Sequence, residues 1–250
     1  LNPQEVVVGF YCGNDFINSY EMVYGYDYWK EWRSPQFTAE AELHGQAEQM
    51  IEANRYRRFS LLRGWLKSHS LLYRFLSIPL QTMSTASKKR ATTDRRFSFV
   101  NDQKNNIHTG FKPLFRYQQS DVNDLRIQEG QRIAFSLLDR MAETCRARGI
   151  RFSLALIPTK ELVFARFIEH NPKVKNGDVI DEVIACDRIL RQRVMDYCQD
   201  RGIPLADPLP AMEQAAGKQQ IYHNDLNDHP NAAGYVMIAK SVKDELLVAK

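Results

Sequence analysis

Val6-Val7-Val8-Gly9-Phe10-Tyr11-Cys12, running into Gly13-Asn14-Asp15, is the stretch on which the fold of this chain turns. Its continuous apolar, β-branched character predicts a strand buried on both faces, as in a parallel sheet covered by helices. Gly-Asn-Asp then predicts a turn. In open α/β sheets the ligand crevice lies beyond the C-terminal ends of the strands, and Asn14 falls there.

Beyond Asp124 the chain repeats one unit. Ile133, Leu137, Met141 and Cys145 recur at helical spacing, Gly149 supplies a stop, and Arg151 to Ile157 reads as a strand ending at Pro158. Ile180, Ile184, Val194 and Cys198 mark a second long helix that Gly202 ends, and Ile203-Pro204-Leu205-Ala206 is a short strand after it. A last helix, capped by Asn231, is expected to bury Tyr235, Ile238, Val242 and Leu246. Strands alternating with long helices predict an α/β fold, a three-layer α/β/α arrangement around a parallel sheet. Only about three strands are legible, few for such a sheet, and a missing N-terminal βα unit accounts for the shortfall.

From about residue 20 to 124 the chain is instead aromatic-rich and basic, which reads as an insertion in a single domain spanning 1–250. Thr38 is a candidate cap for a helix there, with a second helix around Phe59 to Leu76. Ser84 to Arg90 reads as a basic surface loop. The run Tyr20, Tyr24, Tyr26, Tyr28, Trp29 and Trp32 either packs the insertion or lines a carbohydrate- or acyl-binding cleft.

With 34 basic and 30 acidic residues the net charge is +4, a mixed surface on which nucleic-acid binding is not the expectation. Cys12, Cys145, Cys186 and Cys198 are scattered without metal-ligand spacing and read as buried thiols; no metal or cofactor is expected. The most apolar long stretch, Leu61 to Leu80, is interrupted by Arg63, Lys67, His69 and Arg74, so it is not a spanning helix. The chain opens on Leu1 and runs straight into a core-like strand, which leads us to expect a further segment upstream; a secretory signal or membrane anchor would lie in it, so compartment and membrane association stay open.

The chemistry-bearing residues lie at the two ends. Asp225-Leu226-Asn227-Asp228-His229-Pro230-Asn231 delivers a histidine to a helix start beside two carboxylates. Such a histidine serves as a general base when a carboxylate fixes its tautomer, and Asp225 and Asp228 are the candidates, Asp225 favoured because adjacent residues project in different directions. The plainer reading is a loop whose Asp and Asn side chains form turns and caps. A side-chain amide just past a strand end, as at Asn14, suits an oxyanion donor; it equally suits an Asx-turn closing the strand. At another strand end, Lys160 and Glu161 are either substrate contacts or the first turn of a helix capped by Thr159.

Cys12-Gly13-Asn14-Asp15 and His229-Pro230-Asn231-Ala232-Ala233-Gly234-Tyr235 are similar to two sequence blocks of the SGNH (GDSL-type) hydrolases. The resemblance is anchored at both ends of the chain. It implies a flavodoxin-like sheet, Asn14 lining an oxyanion hole and His229 as general base in serine-type hydrolysis of an acyl or acetyl ester. Two departures stand out. The family's acid precedes the histidine by three residues, where this chain has Leu226. Its nucleophile lies in a Gly-Asp-Ser block that this chain lacks, so the serine is expected upstream of Leu1 and the 250 residues alone are expected to be inactive; Ser19 lacks the strand-to-turn setting of a nucleophile. The expected partner is a small-molecule or carbohydrate ester. The alternatives are O-acetyl transfer to a polysaccharide, which the resemblance also allows, and a non-catalytic binding module on the same fold. A third, anion or nucleic-acid binding through Lys88, Lys89, Arg90, Arg95 and Arg96, ranks last.

Overall fold

The computed structural model describes residues 3–26, 28–34 and 97–247. The helices expected after Thr38 and over 59–76, and the basic loop 84–90, lie outside those residues. The chain divides into two compact units, Leu1–Ser19 with Arg95–Lys250, and Tyr20–Asp94. The first unit takes in residues 97–124 as well as the regular strand-helix part.

That unit is a mixed α/β structure built on a three-stranded parallel sheet. Its strands are β1 (Glu5–Tyr11), β4 (Arg151–Ile157) and β5 (Leu205–Ala206), in the order β1-β4-β5. β1 and β4 run in register from Glu5 opposite Arg151 to Tyr11 opposite Ile157, so both strands end at one edge. A separate hairpin pairs β2 (Ser98–Asp102) with β3 (Ile107–Phe111). Eight α-helices are present among the described residues. They are α1 (Asp15–Tyr20), α2 (Pro113–Ser120), α3 (Leu125–Ala147), α4 (Lys160–Val163), α5 (Ala165–Ile168), α6 (Gly177–Arg201), α7 (Leu209–Ala215) and α8 (Ala232–Val242). None of the described helices is long and apolar enough to cross a membrane.

The elements end where their chemistry dictates. Asp124 caps α3 by accepting from the Arg126 N–H, and α6 stops at Gly202, whose φ of 61° is left-handed and suits glycine. Asn231 caps α8 by accepting from the Gly234 N–H at 3.1 Å. Ile180, Ile184, Val194 and Cys198 are buried on α6 as their spacing predicts, and all four cysteines are buried and free. The core gathers Ile107, Phe111, Ile168, Ile184, Met212 and Tyr222 between the hairpin, the short helices and α6.

Three expectations fail. β4 is buried through Ser153–Leu156, but β1 is not covered on both faces: Val7 is 37% exposed and Val6 and Val8 are only half-buried. Among the described residues β1 pairs with β4 alone, and a strand with one bare edge and an open face cannot be fully buried. Tyr235 is exposed because α8 turns Gly234 inward instead; a Cβ there would lie 2.5 Å from the Ile221 carbonyl oxygen. Met141 is likewise exposed on α3, whose buried face runs through Ile133, Ala134 and Leu138.

Candidate functional site

At the C-terminal end of β1 the chain turns through Gly13-Asn14-Asp15. The Asp15 carboxylate closes this turn, accepting from the Tyr11 N–H at 2.8 Å. The main chain of Asn14 closes it as well, its N–H donating to the Tyr11 carbonyl at 3.3 Å, and its side chain takes no part. Its carboxamide, half-buried, has no hydrogen-bond partner among the described residues, as an unspent donor would.

At the end of β4 Thr159 accepts from the Leu162 N–H and so caps α4. Lys160 and Glu161 are wholly buried in its first turn, which overturns a direct substrate contact for either in this arrangement. Burial of two such groups is costly unless they are paired. The ammonium of Lys160 donates to three main-chain carbonyls, of Gly110, Asp225 and Asn227, at 2.9, 3.0 and 2.9 Å. Glu161 faces the Nε of Arg116 at 3.7 Å, an ion pair too long to be a hydrogen bond. Burial first, and the Asp228 charge after it, push the Glu161 carboxyl up, while Arg116 opposes them.

Arg116, from α2, is the hub. It is 3% exposed, its Nη1 donates to the Gly13 carbonyl at 2.7 Å, and its Nη2 lies 3.3 Å from an Asp228 oxygen. Burial works against its charge, but Glu161, Tyr11 and Asp228 outweigh that and hold it protonated. Its guanidinium lies 5.3 Å from the Tyr11 ring centroid. Gly13 leaves the necessary room: a Cβ there would approach Arg116 Nη1 and the Tyr11 ring to 2.6 Å. Behind it Asp187, on α6, accepts from the Thr159 hydroxyl, and its carboxyl is pushed up to about 7 by burial, with Thr159 pulling the other way.

The histidine loop lies against this hub. The Asp225 carboxylate accepts from the Asn227 N–H at 2.8 Å, and the Asn227 side chain accepts from the His229 N–H at 3.0 Å, two successive Asx turns. Asp228 pairs with Lys112 at 2.7 Å as well as with Arg116. The His229 ring is exposed, and neither Asp225 nor Asp228 bonds to it. The loop is tied to the hairpin too, since the Gly110 N–H donates to the Asp225 carbonyl at 3.1 Å and the Thr109 hydroxyl to the His223 carbonyl at 2.9 Å.

The structure thus brings the Asn14 turn and the Asp225–His229 loop to the same sheet edge and joins them through Arg116. Sequence reasoning missed Arg116, Asp187 and Tyr222. Arg116 sits in an amphipathic helix where an arginine ordinarily reads as solvated, and Gly13 was the one hint that a bulky group crosses there. In the second unit Tyr20 and Tyr24 are buried and stacked, whereas Tyr26, Tyr28 and Trp29 are exposed, so packing explains only part of that aromatic run. Among the described residues no group of His, Cys, Asp and Glu is disposed to hold a metal. Compared with known protein families, with characterised proteins and with solved structures, the chain matches none.

Proposed function

We propose that this chain is part of a serine-type ester hydrolase of the SGNH kind, with Asn14 as an oxyanion donor and His229 as general base. The observation that carries the reading is the Arg116 bridge between the Gly13 carbonyl and Asp228, which sets the two motif segments side by side at the C-terminal edge of the sheet. Acyl transfer needs a donor and a base converging on one carbonyl, and such edges are where α/β folds place them.

In this reading a serine hydroxyl attacks the ester carbonyl and His229 takes its proton. The Asn14 carboxamide, unspent in the turn, donates to the oxyanion, and the histidine returns the proton to the leaving alcohol; water then repeats the sequence to release the acid. Asp225 is the freer acid to steady the imidazolium. Each carboxylate leaves one oxygen unpaired among the described residues, but Asp225 makes no ion pair among them, while the other oxygen of Asp228 is shared by Lys112 and Arg116. The serine comes from a further strand, which pairs in a flavodoxin-like sheet along the edge of β1 that no other described strand occupies. The half-covered Val6-Val7-Val8 supports this arrangement, because parallel strands of that composition ordinarily have neighbours and covering helices.

The test is fluorophosphonate labelling of the protein translated from its full coding sequence, with the modified residue mapped by mass spectrometry. We expect one labelled serine upstream of Leu1, and at least about a hundredfold slower labelling in His229→Ala. A full-length protein that takes no label sinks the hydrolase reading. That outcome belongs to the second reading, a non-catalytic binding module, which is favoured because no carboxylate among the described residues bonds to the His229 ring.

A further inference from the structure

Buried ammonium groups ordinarily face a carboxylate. Lys160 faces backbone. Each of its three N–H bonds goes to a main-chain carbonyl, two of them in the histidine loop and the third on β3, with the rings of Phe111 and Tyr222 at 5.5 and 5.8 Å. The two loop carbonyls, of Asp225 and Asn227, flank Leu226, so the ammonium fixes the path of the chain just before His229. The third, of Gly110, belongs to the residue whose N–H also holds the Asp225 carbonyl. One charged group therefore ties the end of β4 to the hairpin and the loop at once.

We propose that Lys160 is a positioning residue whose ammonium sets the main-chain course of the Asp225–His229 loop and with it the place where the imidazole is presented. This rests on the reading of His229 as the base. A cation buried solely to pack a core would be replaced at no loss by an apolar chain of its length; here every donor is spent on the loop and the strand beside it. A neutral amine would not serve equally. It has two donors and a lone pair, so deprotonation releases one carbonyl and sets the lone pair against it. Burial draws the Lys160 ammonium down to about 8; Glu161, Asp228 and Asp225 favour its charge and Lys112 opposes it. The clamp is consequently conditional in mildly alkaline solution.

The experiment is amide hydrogen exchange by NMR on the 250-residue chain and on Lys160→Met. We expect the Gly110, Asn227 and His229 amides to exchange at least about tenfold faster in the variant while the β4 amides hold their protection. Equal loss everywhere would make Lys160 a plain structural residue, and no loss in the loop would remove its role; either overturns the proposal. Should Lys160→Met fail to fold, the wild-type chain answers alone. Its Lys160 Nζ signal and the loop amide shifts are followed from pH 6.5 to 10, and the proposal requires them to move with one midpoint; loop shifts indifferent to that deprotonation overturn it. None of these readouts needs turnover. A protein that takes no fluorophosphonate but loosens its loop loses the hydrolase reading and keeps the clamp, whereas a labelled protein with an unmoved loop does the reverse.

Discussion

Asp187 holds its proton against the ordinary habit of an aspartate, and the consequence is a pH slope. Burial raises its folded pKa to about 7, with Glu161 adding to the rise and Thr159 and Arg116 opposing it. Between about pH 4 and 7 the folded protein keeps a proton that the unfolded chain has released, so stability falls as pH rises through that window. Glu161, also raised, acts in the same direction. Asp187→Asn keeps an acceptor for the Thr159 hydroxyl and cannot ionise. Urea melts at pH 5 and pH 8 should show wild type losing on the order of 2 kcal/mol more than the variant over that interval; equal losses would mean that Asp187 ionises normally. Nothing in the sequence announces this group. An aspartate among Ile184, Leu190 and Arg191 reads as a charged helix position, and only the arrival of Thr159 from another element explains its burial.

Among the elements, α8 connects fold and site most directly, because its cap also anchors the strand of loop before His229. The Asn231 side chain accepts from the Gly234 N–H and donates to the Gln220 carbonyl at 2.8 Å, while its own N–H donates to the Ile221 carbonyl at 3.0 Å. Asn231→Ala removes the first two and should cost about 1–2 kcal/mol in a chemical melt. A change within a few tenths would show that water replaces the cap without loss. The cap, like the long helices and β4, was legible in the sequence, because capping residues and apolar periodicity act locally. The outward side chain of Tyr235 was not. Which residue of α8 turns inward is decided by the Ile221 carbonyl, which only a glycine can approach, and that contact belongs to tertiary structure. The places of Asn14 just past a strand end and of His229 just before a helix start were legible for a similar reason to the cap, since such ends announce themselves locally; the hub that joins the two segments depends on three distant parts of the chain and was not.

At the scale of the molecule, the dominant feature is the edge of β1 that no other described strand pairs. An apolar strand with one unpaired edge offers a template to any extended chain, and proteins that keep such an edge usually protect it with charge. The 250-residue chain should accordingly associate with itself as concentration rises. Val7→Lys, at an exposed position on β1, should shift sedimentation towards the monomer without altering the melt by more than about 1 kcal/mol. If wild type sediments as a monomer throughout, the edge is protected by other means and the argument for an added strand weakens. The sequence told that this strand was apolar and that strands were few. It could not tell that, among the described residues, one edge would lack a partner and Val7 would stand exposed, because coverage is a property of neighbours.

The Arg116 bridge also bears on how the molecule comes to be. Its bond to the Gly13 carbonyl joins residues 103 positions apart, whereas α3, β4 and α6 follow one another along the chain. Loop closure over such a span costs entropy before any contact returns it, so contacts of this kind form late. The contiguous half of the chain is therefore built first, and the Asn14 turn and the His229 loop are fastened together only when the first strand docks.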